Sequence, residues 1–89
     1  MHEQALMDDV VRQLEAVAAA EGAGRVTRVR VRLGALSHFS PEHFREHFED
    51  ATRGTVAEGA EVEAELSQDH ADPAAQGVVV ESVDVELDG

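Results

Sequence analysis

The chain has 89 residues, a formal net charge of -12 and no cysteine. This length allows one domain with a thin core, and the acidity excludes nucleic-acid binding, which needs a basic face for the phosphates. Without cysteine there are no disulfides or thiolate metal sites, and no segment resembles a membrane span or a signal peptide, which predicts a cytoplasmic protein with no membrane contact.

The first half of the chain predicts a helix and a strand. Apolar residues between Leu6 and Ala18 recur every three or four positions, which predicts a helix over residues 4–21 that Gly22 and Gly24 end. In the stretch RVTRVRVRLG that follows, apolar residues alternate with arginines from Arg28 to Leu33: Val29, Val31 and Leu33 with Arg28, Arg30 and Arg32. This alternation is typical of a strand with one buried face.

The second half predicts a helix and two strands. Ser40 followed by Pro41 is the pattern of a helix N-cap and first helical residue, and the helix should run to about Thr52 and close at Gly54. The stretches GAEVEAEL and VVVESVDVEL predict the second and third strands, in which apolar residues alternate with Asp and Glu. The polar loop 67–77 joins them.

These elements predict a two-layer α+β domain in the order α-β-α-β-β, with both helices on one face of a three-stranded mixed sheet. The opposite face carries arginines on the first strand and acids on the other two. Like charges repel across neighbouring strands, so the arginine strand should lie in the middle. The predicted strand order is therefore 2-1-3, with the first strand parallel to the second through a right-handed crossover and antiparallel to the third.

The N-terminal segment Met1-His2-Glu3 is one candidate metal site. The free amine of Met1, the imidazole of His2 and the backbone nitrogens between them can close small chelate rings around one ion. A planar set of nitrogen donors suits Ni(II) or Cu(II) better than zinc. The alternative is a frayed chain end without function.

A second, weaker candidate is the pair His43 and His47, whose spacing of four places both imidazoles on one face of the second helix. The pair needs a third ligand, and otherwise it is a pair of surface histidines. Four side chains are candidates for that ligand: Glu46, Asp50, His38 and His70.

Nothing in the sequence predicts an enzyme. There is no glycine-rich phosphate loop, no serine lies in a pattern that would activate it, and the acidic pairs follow the strand period. We therefore assign no catalytic residue.

Three stretches read together, MHE, GALSHFSPEHF and TRGTVAEGAEVE, resemble the HypA/HybF proteins, the hydrogenase and urease nickel-incorporation metallochaperones. The resemblance covers about residues 1–66. It implies that the Met1 amine, the His2 imidazole and amide, and the Glu3 amide bind Ni(II). It also implies delivery of the nickel to a partner, with an accessory GTPase and hydrogenase or urease maturation proteins as contacts.

The chain departs from this family in one segment. Family members carry a zinc-binding module with two Cys-x-x-Cys pairs between the second and third strands, where this chain has only the loop 67–77. We therefore predict no zinc and no zinc ligands, and a single nickel-binding-type domain over residues 1–89. A short loop should leave the sheet intact, because loop closure depends weakly on length. The alternative function is a protein-interaction module that has lost metal delivery.

Overall fold

Two helices and three strands follow one another in the predicted order α-β-α-β-β. The computed structural model describes residues 2–87, with side chains from residue 3 onward. The elements are α1 His2–Ala20, β1 Ala23–Leu33, α2 Pro41–Ala51, β2 Glu61–Leu66 and β3 Val78–Leu87.

The strand order β2-β1-β3 confirms the prediction, with β1 parallel to β2 and antiparallel to β3. On the face away from the helices, Arg28 Nε lies 3.9 Å from a carboxylate oxygen of Glu61 and 3.5 Å from one of Glu63. On the other side of β1, Arg32 pairs with Glu81 at 3.1 Å. Exposed pairs such as these contribute at most about 1 kcal/mol each. The arginine strand β1 therefore lies between the two acidic strands, as the charge pattern predicted.

The core lies between the helices and one face of the sheet, which confirms the predicted two-layer α+β fold. Helix α1 contributes Met7, Val10, Leu14 and Ala18, and α2 contributes Phe44 and Phe48. Strand β1 supplies four fully buried side chains: Val26, Val29, Val31 and Leu33. The central strand is therefore the most deeply buried element of the sheet.

A bulge in β1 explains why Val26 and Val29 are both buried although they are three residues apart. In a regular strand, residues three apart point to opposite faces. The register against β3 shifts between Val26 and Arg28, which inserts one residue and returns Val29 to the core face. The alternation inferred from the sequence begins at Val29, directly after this bulge, and Val29, Val31 and Leu33 are all buried as predicted.

Three positions differ from the sequence prediction. Gly22, with φ of +65°, is the second residue after α1, whereas Gly24 lies inside β1 and does not end the helix. Leu66 and Leu87, placed by alternation on the apolar faces of β2 and β3, are 42% and 63% exposed. Both leucines are the last residues of edge strands, whereas Leu33, which pairs with Leu66 on the central strand, is fully buried.

The loop between β2 and β3 packs closely against the segment that follows β1. Ala75 is buried, and its carbonyl oxygen accepts a hydrogen bond from the backbone N–H of Leu36 at 2.7 Å. The backbone N–H of Gly34 donates to the carbonyl of Gly77 at 2.9 Å. Gly34 approaches so closely that a Cβ there would overlap the backbone of Ala75. These contacts hold the C-terminal end of the loop 67–77, at Ala75 and Gly77, against the segment that follows β1.

Candidate metal centre

The start of α2 is set by a side-chain cap. Ser40 has extended backbone angles, and its hydroxyl oxygen accepts a hydrogen bond from the backbone N–H of His43 at 3.1 Å. Pro41 is the first helical residue, where its missing N–H removes no helical hydrogen bond. The cap and the proline together place His43 in the first turn of α2.

The imidazoles of His43 and His47 lie one above the other on α2. Their ring centroids are 4.5 Å apart, and the rings are within 8° of parallel. Phe39, which is buried, meets both rings edge-on, with centroid distances of 5.7 Å to His43 and 6.2 Å to His47. The phenylalanine therefore supports both imidazoles from the core side.

Glu3 approaches this pair from the first turn of α1. Its Oε1 atom lies 2.8 Å from Nε2 of His43. One donor atom from each of Glu3, His43 and His47 lies within 4.8 Å of the other two. All three side chains are partly accessible, since Glu3 and His47 are half-buried and His43 is exposed. Two imidazoles and a carboxylate are ordinary ligands of first-row transition metals.

The structure therefore links the two predicted candidate sites through one residue, because Glu3 belongs to the first and lies beside the histidines of the second. Met1 and the side chain of His2 lie outside the described residues, so the geometry of the Met1-His2-Glu3 chelate stays a prediction. His43 and His47 are described, and their partner comes from the other helix. The donor group does not include the four candidates suggested by the sequence: Glu46, Asp50, His38 and His70.

The Met1-His2-Glu3 pattern predicts a role only for the backbone nitrogen of Glu3, so the contribution of its carboxylate was not predicted. The helical spacing of α1 nevertheless indicates that the Glu3 side chain lies on the same face as the buried residues. Glu3 lies three, four and seven positions before Leu6, Met7 and Val10, so it extends the apolar face of α1 towards α2. A carboxylate at the end of this face lies close to the neighbouring helix, where the Glu3 carboxylate contacts His43.

Within residues 2–87, no helix is both long enough and apolar enough to span a membrane.

Comparison with known proteins identifies the family. The family model described as "Hydrogenase/urease nickel incorporation, metallochaperone, hypA" matches residues 1–84. The hydrogenase maturation factor HypA of Methylocella silvestris is 42% identical over 66 residues, which cover 74% of this chain and 58% of that protein. The HypA protein of Chlorobium limicola is 43% identical over 65 residues, which cover 73% and 56%. The chain thus spans little more than half the length of these relatives.

The fold has a counterpart among solved structures. The solution structure of the Ni metallochaperone HypA from Helicobacter pylori superposes with a TM-score of 0.77, covering 97% of this chain and 98% of that chain. Sequence identity between the two is 14%, so the match concerns the fold alone. The family-model match and the curated relatives carry the assignment: this chain belongs to the HypA family of hydrogenase and urease nickel-incorporation metallochaperones.

Proposed function

We propose that this protein binds Ni(II) at its Met1-His2-Glu3 segment and delivers the ion to a partner during metalloenzyme assembly. The observation that carries the proposal is the match to the nickel-incorporation family, which starts at residue 1 and includes this segment. The Helicobacter pylori protein that shares the fold is itself described as a nickel metallochaperone. The partners we propose are an accessory GTPase and hydrogenase or urease maturation proteins.

The ligands we propose are the Met1 amine, the His2 imidazole and the backbone nitrogens of His2 and Glu3. Helix α1 begins at His2, and the first four N–H groups of a helix have no acceptor within it. Ni(II) at these two amides replaces their protons, which are released to solvent, and therefore disrupts no hydrogen bond of α1. Four nitrogens in a plane match the preference of Ni(II) for square-planar coordination.

The proposed role is that of a carrier, not of an enzyme. A metal held at the end of a chain is open to an incoming ligand from a partner, whereas a closed cage of four side chains is not. Nickel is then the cargo of the protein, and release to the acceptor is its productive step. The exposed acidic strands offer a surface for partner contact, which is also the basis of the alternative function without metal delivery.

The test is a calorimetric Ni(II) titration of protein with a free Met1 amine, with visible absorption followed in parallel. We expect about one equivalent of nickel with the absorption of a planar nitrogen complex. His2→Ala, or a two-residue extension ahead of Met1, should abolish this binding. His70→Ala is the matched control, because His70 is an exposed histidine of the loop 67–77 and lies outside the donor group.

Equal nickel binding by the wild type, His2→Ala and the extended protein would contradict the proposed site. Failure of all three to bind nickel would favour the interaction module. Delivery is tested separately by adding the candidate GTPase or maturation protein to the nickel-loaded protein and measuring the rate at which the planar absorption disappears.

A further inference from the structure

We propose that Glu3, His43 and His47 form a separate metal site that binds one divalent first-row transition ion through side chains alone. The planar site proposed above uses backbone nitrogens and the amine of Met1. The side-chain site uses none of these, so it does not depend on the proposed nickel function. It joins the first turn of α1 to α2 across the helix interface.

The distances are suited to one shared ion after small side-chain rotations. Ligands of a tetrahedral ion with bonds of about 2.0 Å are about 3.3 Å apart. The Glu3 and His43 donors are already 2.8 Å apart, and the three donors lie within 4.8 Å of one another. Because the Glu3 and His43 side chains are 33% and 44% exposed, they can turn towards a common ion without disturbing the core.

The backbone that carries His43 and His47 is positioned before any ion binds. The Ser40 cap fixes the first turn of α2, and the buried Phe39 ring makes T-shaped contacts with both imidazoles. Histidines four residues apart on a helix present their rings to the same side, which is a spacing found in metal sites. The third ligand, Glu3, belongs to a different helix, so an ion bound here would cross-link α1 and α2.

The donor set indicates which ions the site takes. Two imidazoles and one carboxylate leave a fourth position open, and this combination is known for zinc in non-planar coordination. Zn(II) and Co(II) fit such a set, whereas the planar nitrogen set favours Ni(II) and Cu(II). The prediction of no zinc was based on the missing cysteines, and this set contains no thiolate.

The test uses variants that separate the two sites. Glu3→Gln removes the carboxylate but keeps the backbone nitrogen of residue 3, so it should lose Co(II) and keep nickel. His2→Ala should lose nickel and keep Co(II). The probe is a Co(II) titration followed by the visible absorption of the bound ion, with Zn(II) as competitor. His43→Gln and His47→Ala should weaken Co(II) binding by about 100-fold or more, because loss of a ligand exceeds the 10–100-fold effect of losing a supporting residue.

His70→Ala is again the control and should bind Co(II) like the wild type. Far-UV circular dichroism and a urea titration of each variant without metal establish that the fold is kept. The proposal is overturned if Glu3→Gln and His43→Gln, folded, bind Co(II) as tightly as the wild type, or if the wild type binds no Co(II). It is also overturned if His2→Ala abolishes Co(II) binding, because one site would then take both ions. Loss of nickel binding alone bears on the proposed function and leaves this site in place.

Discussion

Glu3 Oε1 and His43 Nε2 lie 2.8 Å apart and join the first turns of two helices that are distant in the chain. Both side chains are about one-third or more exposed. A pair with this exposure contributes about 0–1 kcal/mol to stability. The contact therefore positions ligands and does little to hold the fold together.

The first prediction concerns the stability of Glu3→Gln and His43→Gln. In metal-free buffer we expect free energies of unfolding within about 1 kcal/mol of the wild type, measured by urea denaturation. With free Zn(II) at about 100 times its dissociation constant, the wild type should gain about 2.7 kcal/mol and the variants much less. A similar gain in the variants would show that the zinc is bound elsewhere on the chain.

The second prediction concerns the cap of α2. Ser40→Ala removes the acceptor of the His43 N–H and should cost about 1 kcal/mol of stability. It should also weaken Co(II) binding, because the first turn that carries His43 is loosened. Ser40→Asp keeps an acceptor at the cap and serves as the matched variant, since Asp is among the preferred N-cap residues. Equal losses in both variants would mean that the hydroxyl has another role.

Much of the fold was predictable because the distribution of charged residues over the three strands indicates the strand order. Arginines on β1 and acids on β2 and β3 allow one strand order without acid beside acid, and that is the order found. The second helix was predictable from Ser40 and Pro41, which act locally. Local signals of this kind can be read from a single sequence.

The features that the sequence did not predict depend on contacts between residues far apart in the chain. The bulge that buries both Val26 and Val29 is visible only in the register against β3. The Glu3 carboxylate meets His43 and His47 through the packing of two helices. Alternation alone could not show that Leu66 and Leu87, at the ends of edge strands, stay exposed. The sequence thus predicted two candidate sites, but not that the Glu3 side chain lies beside His43 and His47.

The third prediction tests the charge arrangement of the sheet. Arg28→Glu places a new carboxylate beside Glu61 and Glu63, whereas Arg12→Glu makes the same change of net charge on an exposed position of α1. Arg28→Glu should be about 1 kcal/mol less stable than Arg12→Glu at low salt, since like charges on neighbouring strands repel. The difference should shrink in 1 M salt, where the Debye length is about 3 Å. A salt-independent difference would point to packing instead of charge.

The fourth prediction concerns the close approach of Gly34 to the loop 67–77. In Gly34→Ala the new methyl group would overlap the backbone of Ala75, and backbone cannot move aside as a flexible side chain can. We expect a loss of about 2–4 kcal/mol in a urea titration, because the loop must shift and the hydrogen bond from Leu36 to Ala75 is strained or broken.

Gly77 is the matched control for that substitution. It lies at the other end of the same contact, where a Cβ would meet only the carbonyl of Ala74 at 3.8 Å, an ordinary packing distance. Gly77→Ala should therefore change the stability by no more than about 1 kcal/mol. If Gly34→Ala were equally mild, the loop would have to be free to move away from β1. In that case the short loop would not be a packed part of the fold, and the sheet would be stable without it.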